Sequence, residues 1–462
     1  MFAREVYVRR REVLRESVRS GVLLFLGNEE SPMNYPANQY HFRQDSSFLY
    51  YWGIDTPGLA ALIDLESGTE TLFGDDPTVA DIVWTGPQPL LREKGEMTGV
   101  QKTLPSADLR EAVLTAVRAG KTVHFLPPYR PENRLRIEQL LSIHPTRAGD
   151  HASPEFVRGV VAQRSIKKAE EVEEIEKAVG ITSGMQTYAM AMTRPGMYER
   201  EIAGPMHGIA LSRGGNLAFP IIFSIHGETL HNHAHGNIMQ NGNIVVNDCG
   251  AESGLHYAGD LTRTFPVSGR FTERQKDLYR IVFDAQKKAL EAIRPGVPFR
   301  EIHLLASKAL ASGLKGLGLM KGDVDEAVAQ GAHAMFFQCG LGHMMGLDVH
   351  DMEDLGEEYV GYEGVQRSPQ FGLCYLRLAK PLRPGFVLTV EPGIYFIPAL
   401  IDQWKREKKC GEYINYDALE RYRDFGGIRI EDDVLVTETG YRLLGPSVPK
   451  TIEEVEEACR WG

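Results

Sequence analysis

The sequence predicts an α+β protein in which a smaller α/β domain, residues 1–160, precedes a larger one, residues 161–462. Three observations predict it. At 462 residues the chain exceeds what one ordinary core organises, so two or three domains are expected. Strand and helix patterns joined by tight turns alternate through residues 1–150. Beyond them a strongly periodic helix opens a long region in which a short motif recurs.

The elements follow in order. GLAALIDLESGTETLFG (58–74) reads as a hairpin centred on Glu66-Ser67-Gly68. From Pro127 to Val161 the chain is Pro-rich and weakly periodic. A helix is predicted to start at Ser165, a good N-cap, because Ile166, Ala169, Val172, Ile175 and Val179 recur at steps of three and four. The domain boundary is placed just before it. RPGMYEREI (194–202) and RPGVPFREI (294–302) then repeat at a spacing of 100 residues, each between helical runs. Arg-Pro-Gly is also a generic helix stop, but a true repeat implies two related α+β halves packed around one site.

Composition excludes several function classes. An apolar fraction of 43% with 24% charged residues is that of a globular protein, and no apolar run approaches the ~18 residues of a membrane span. MFAREVYVRRREVLRESV lacks the apolar core of a signal peptide, so a cytoplasmic location is expected. A net charge of −11 disfavours nucleic acid. Cys249, Cys339, Cys374, Cys410 and Cys459 form no metal-binding spacing and are expected to be reduced, buried thiols.

Chemistry concentrates in four segments. NIVVNDCGAESGLHYAGDLTRTF (243–265) reads as strand, turn and strand about Gly254, which puts Asp248 opposite Asp260 with Cβ atoms ~5 Å apart. Two carboxylates so placed repel unless a cation or a shared proton lies between them; the bland alternative is a pair of exposed turn residues. GLGHMMGLDVHD (340–351) carries His343 and His350, and an isolated buried histidine is more often a core residue than a ligand. FVLTVEPGIYF (386–396) ends an apolar strand at Glu391. In GGIRIEDDVLV (426–436) alternation places Arg429 and Glu431 on one face, where Arg429 alone could satisfy the acid.

Together these segments offer two Asp, one His and two Glu at strand ends and glycine-rich bends. Such a set suits a pair of divalent ions ~3.5–4 Å apart and hence hydrolysis. Oxygen-rich ligation with one imidazole and no thiolate favours Mn2+, with Co2+ or Zn2+ as alternatives.

DCGAESGLHYAGDLTRTFP, GLGHMMGLDVHD, TVEPGIYF and GIRIEDDVLVT closely resemble the pita-bread metallopeptidases that cleave Xaa-Pro bonds, prolidase and aminopeptidase P. HFRQDSSFLYYWG (41–53) and VWTG (83–86) resemble the N-terminal domain of the same group. The resemblance implies a C-terminal pita-bread domain of the creatinase and methionine-aminopeptidase type. It implies Asp248, Asp260, His343, Glu391 and Glu431 as metal ligands, His231 and His350 as histidines at the substrate, and Arg429 beside the last ligand. Glu391 becomes the proton acceptor as well. It further implies a proline-containing peptide substrate and a homodimer or homotetramer. TLHNHAHGN (229–237) is then a substrate-handling strand or loop with His231 its working member; His233 and His235 have no assigned role, and direct metal binding by all three is the minor reading.

Both enzymes hydrolyse the bond before proline, and two features lean towards prolidase. Arg377 in LCYLRLAKPLRPGFVLTVEPGIYFI is apt to grip the carboxylate of a C-terminal proline. PALIDQWKREKKCGEYINYDALERYRDFGG (398–427) also resembles the prolidase insertion. Aminopeptidase P acting on longer peptides is the alternative, and a metal-free pita-bread binding module the alternative from another class.

Overall fold

The computed structural model describes residues 1–460, and the chain divides into two compact units. The first comprises Met1–Arg164 with Met352–Tyr359; the second comprises Ser165–Asp351 and the chain from Val360 onward. Among the described residues no helix is long and apolar enough to cross a membrane.

The first unit is a five-stranded mixed sheet with helices around it. Its strands are Val22–Leu26 (β1), Ala60–Asp64 (β2), Glu70–Phe73 (β3), Lys102–Leu104 (β4) and Val123–Phe125 (β5), in the order β4-β3-β2-β1-β5. The hairpin expected at residues 58–74 is present, with Ile63 opposite Glu70. Asp64 closes it by accepting hydrogen bonds from the Glu66 and Ser67 amides, and Gly68 supplies the positive φ of the turn. The DSSFLYYW stretch forms a helix, Ser46–Trp52, whose N-cap Asp45 accepts from the Phe48 amide at 2.8 Å. Phe25 meets Trp52 edge-on at 5.6 Å and Phe156 at 5.0 Å, so aromatic packing fixes this helix in the core.

The sequence misled on the helices that follow. The Pro127–Val161 stretch holds the helix Pro131–Leu141 and most of another, Pro154–Ser165. Each proline occupies the start of its helix, where its missing N–H is no loss. Ser165 therefore ends a helix instead of capping one. The long helix runs Ala169–Met192 (α1), and the Lys168 amide donates to the Glu171 carboxylate at its start.

In the second unit the repeat corresponds to structure. Helices Ala169–Met192 (α1) and Arg200–Ser212 (α2) flank the first copy, and Glu273–Ala292 (α3) and Phe299–Gly316 (α4) flank the second. The turns are alike, and each is closed by a single bridge, Tyr198 to Ile238 and Pro298 to Pro381. The strands are Ile222–Ser224 (β6), Ile244–Cys249 (β7), Leu261–Pro266 (β8), Val387–Val390 (β9), Gly393–Tyr395 (β10), Gly427–Arg429 (β11), Asp432–Val436 (β12) and Tyr441–Leu443 (β13). They form sheets β8-β7-β6 and β9-β12-β13 and the pair β10-β11. The 398–427 stretch folds as helices Pro398–Glu407 and Tyr416–Leu419 with turns between them. All five cysteines are free, but only Cys249 and Cys459 are fully buried; Cys339, Cys374 and Cys410 are partly accessible, which corrects the expectation for those three.

Candidate metal centre

Every residue given a role from the sequence lines one cavity of about 620 Å3: His231, Asp248, Asp260, His343, His350, Arg377, Glu391, Arg429 and Glu431. The strand ends explain why. β7 delivers Asp248, and the residue before β8 is Asp260. Their register differs from the expected one: Asp248 pairs with Thr262, which centres the hairpin one residue beyond Gly254. The two aspartates are thus diagonal neighbours, still on one face because the offset is even. Thr262 takes the opposing place and donates to Glu431 Oε2 at 2.6 Å.

The segment bearing His343 is held along β9: the Thr389 amide donates to the His343 carbonyl, and the Glu391 amide to that of Leu341. A side chain at Gly342 has no room there, since a Cβ would stand 2.0 Å from the Thr389 carbonyl oxygen. His343 Nδ1 lies 3.1 Å from the Met344 carbonyl oxygen. A carbonyl only accepts, so Nδ1 carries the proton and Nε2 keeps its lone pair. That lone pair lies 3.5 Å from Asp260 Oδ2 and 3.6 Å from Glu391 Oε1.

Acceptors therefore face acceptors. One nitrogen or oxygen each of Asp260, His343 and Glu431 lies within 4.8 Å of the others, and all three residues are buried. Burial, then repulsion from Glu431 and Asp248, pushes the Asp260 carboxyl well above its usual range. Burial and the neighbouring acids Glu391 and Asp248 do the same to Glu431. Burial holds His343 far below the ordinary imidazole value, so it stays neutral and able to ligate. Asp248 Oδ1 and Asp260 Oδ1 are buried with no hydrogen-bond partner. Divalent cations fit this donor set: they neutralise the acids and occupy the orphaned lone pairs.

Arg429 does not pair with Glu431, as its position in the strand suggested. Its guanidinium donates to Asp248 Oδ2 at 2.6 Å, to the Tyr395 hydroxyl at 2.8 Å and to Thr262 Oγ1 at 3.2 Å. Thr262 was legible in principle, being two strand residues after Asp260; nothing in the sequence pointed to Tyr395. TLHNHAHGN is a loop, not a strand. Asn232 anchors it through Ser224, and His231 and His233 line the cavity with rings 6.5 Å apart. His235 leaves the group and lies 3.0 Å from the Ile221 carbonyl oxygen. Burial and the Arg429 charge lower the pKa of His231, and the His350 ring stands 4.3 Å from that of His343. Gln338, Cys339 and Tyr375 also line the cavity and carried no sequence signal.

A helix-flanked sheet arrangement that gathers acids and a neutral imidazole in one cleft defines a metal-dependent hydrolase of pita-bread architecture. Residues 173–438 match the model of metallopeptidase family M24, and residues 7–124 that of the aminopeptidase P N-terminal domain. The chain belongs to metallopeptidase family M24. It is 32% identical to the human Xaa-Pro dipeptidase, over 96% of this chain and 90% of that one. It is equally 32% identical to the Xaa-Pro aminopeptidase of Escherichia coli K12, over 98% and 97%. Among solved structures, a variant of Escherichia coli aminopeptidase P in complex with substrate superposes with a TM-score of 0.82 at 31% identity, covering 99% of this chain and 98% of that one.

Proposed function

We propose that this protein hydrolyses the peptide bond preceding proline, with Asp248, Asp260, His343, Glu391 and Glu431 holding two divalent cations. The convergence of these five residues with His231, His350, Arg377 and Arg429 on one cavity carries the reading. The cations, when bound, supply a nucleophilic water at neutral pH and polarise the scissile carbonyl. Glu391, which lines the cavity beside the other acids, accepts the proton of the attacking water. His231 and His350 each donate a ring N–H towards substrate oxygens. Arg429, fixed by Tyr395 and Asp248, keeps the charge of the acid cluster balanced.

The finer reading is a manganese-dependent Xaa-Pro dipeptidase, cytoplasmic and assembled as a homodimer or homotetramer, with its domain boundary at 160/161. Five free thiols support the location, and the helix Val79–Thr85 with Trp84 86% exposed supports assembly. Arg377 in the cavity wall supports the dipeptidase, since a guanidinium matches the carboxylate of a terminal proline. The competing aminopeptidase reading is supported by the equal identity to the bacterial enzyme. A comparison of Gly-Pro with a longer Xaa-Pro-Yaa peptide under Mn2+, in wild type and Arg377→Met, tests both. For a dipeptidase, loss of that contact raises KM for Gly-Pro by the equivalent of ~1.5–3 kcal/mol and spares the longer peptide. Equal losses, or a wild type that prefers the longer peptide, select the aminopeptidase. Elemental analysis showing no bound divalent metal overturns the enzyme reading.

A further inference from the structure

The repeat extends further back than its Arg-Pro-Gly signature. Gln186 lies eight residues before Arg194, and Gln286 lies eight before Arg294, each on the first helix of its half. Both are buried, at 0% and 1% exposure. Gln186 Nε2 reaches the Asn247 carbonyl oxygen at 3.0 Å and that of Leu261 at 2.5 Å, while its Oε1 accepts from Asn247 Nδ2 at 2.8 Å. Gln286 Nε2 reaches the carbonyl oxygens of Val390 at 3.2 Å and Ile430 at 3.3 Å, and Asp432 Oδ2 at 3.1 Å.

These four carbonyls have one thing in common. Asn247 and Leu261 adjoin Asp248 and Asp260; Val390 and Ile430 adjoin Glu391 and Glu431. The amide on α1 thus ties together the two backbone segments that carry the aspartates, and the amide on α3 ties the two that carry the glutamates. Neither glutamine faces the cavity. A glutamine amide is suited to the task because its two N–H groups diverge from one nitrogen and can bridge two acceptors without introducing charge. In a dry interior such a bridge is strong.

We propose that Gln186 and Gln286 are paired positioning residues, one in each half of the repeat, that set the spacing of the four carboxylates which hold the cations. The proposal rests on the metal-site reading. Each glutamine acts on the metal only through the backbone of its ligands, as outer partners of ligands do elsewhere at a cost of ~10- to 100-fold in affinity.

The test is titration of Mn2+ into metal-stripped wild type, Gln186→Met and Gln286→Met by calorimetry, with visible spectra of the Co2+-loaded proteins and melting of the stripped ones. Leu310→Ala on α4, which truncates a buried apolar side chain and removes no hydrogen bond, controls for general loss of stability. Both glutamine variants are expected to bind Mn2+ at least about 10-fold more weakly than wild type and to shift the Co2+ bands, while the control does neither at a comparable melting temperature. Should a methionine variant fail to fold, Gln→Asn keeps an amide but falls one methylene short, and the same weakening is expected. Wild-type affinity and wild-type Co2+ bands in the variants overturn the clamp alone. A wild type that takes up no cation overturns the metal site and the clamp with it.

Discussion

His231 and His235 lie on the same short loop, yet only one of them lines the cavity. His231 is lowered in pKa by burial and by Arg429, so near neutrality it is an uncharged donor beside the acids. His235 instead reaches across to the Ile221 carbonyl and steadies the loop. Their substitutions should separate. His231→Ala is expected to lower kcat by ~10²-fold, the usual scale for a positioned proton donor, with metal content unchanged. His235→Ala should leave kcat nearly intact and cost ~1 kcal/mol of stability for the lost hydrogen bond. Steady-state kinetics together with elemental analysis of the two variants checks this; an inert His231→Ala removes that residue from the proposed chemistry. His233, whose ring lies beside that of His231, shows what a sequence cannot tell: equal spacing gave no reason to divide the three histidines two against one, because a loop anchored by Asn232 has no period.

At the scale of elements, the site depends on how closely the His343 segment lies along β9. Gly342 is the point of closest approach, with no space between its Cα and the Thr389 carbonyl for a methyl group. Gly342→Ala must push the segment outward and carry His343 away from Asp260 and Glu431. The expected result is a folded protein that retains little divalent metal and little activity, read by elemental analysis beside a circular dichroism spectrum like that of wild type. Full metal content in this variant would show that the segment has slack. The glycines of GLGHMMG were visible in the sequence, but their reason was not, since the partner strand lies more than forty residues away. Local patterns did better: runs of apolar strand formers located β7 and β9, alternation located the Arg429–Glu431 face, and turn chemistry located the 58–74 hairpin. Errors arose where a neighbour decided the outcome. Ser165 is a competent cap by type, yet the preceding helix consumes it and Glu171 does the capping. The aspartate hairpin slipped because Glu252 and Ala258 bridge, centring the turn on Leu255. Arg429 reaches Asp248, 181 residues away in the chain, while Glu431 accepts from Thr262, and neither partner is visible from the strand itself.

At the scale of the molecule, the second unit buries two further histidines that the proposed chemistry does not use, and they set how the fold responds to acid. His303 on α4 stacks on Phe337 at 5.3 Å and meets His333 at 6.3 Å. Burial lowers the pKa of His303 to about 3, with His333 and Arg300 adding to the effect. Burial lowers that of His333 to about 4, partly offset by the backbone at Val328. Both imidazoles are therefore neutral in the folded state, whereas in the unfolded chain they take up protons near pH ~6.5. Between those values the unfolded state binds more protons, so stability falls as pH falls. The two together should remove up to ~2.7 kcal/mol of stability per pH unit between about pH 6 and pH 4, and nothing above pH ~7. Burial raises the carboxyls of Asp260, Glu391 and Glu431 in the metal-free fold, which acts on stability in the opposite sense, so the histidine contribution must be isolated by difference. His303→Leu keeps an apolar side chain in the packed site and removes one titrating group. Denaturant unfolding of the metal-free protein at several pH values from 7 to 4.5 should give a slope shallower than that of wild type by ~1 kcal/mol per pH unit. An unchanged slope would show that His303 takes no part in the acid response of the fold.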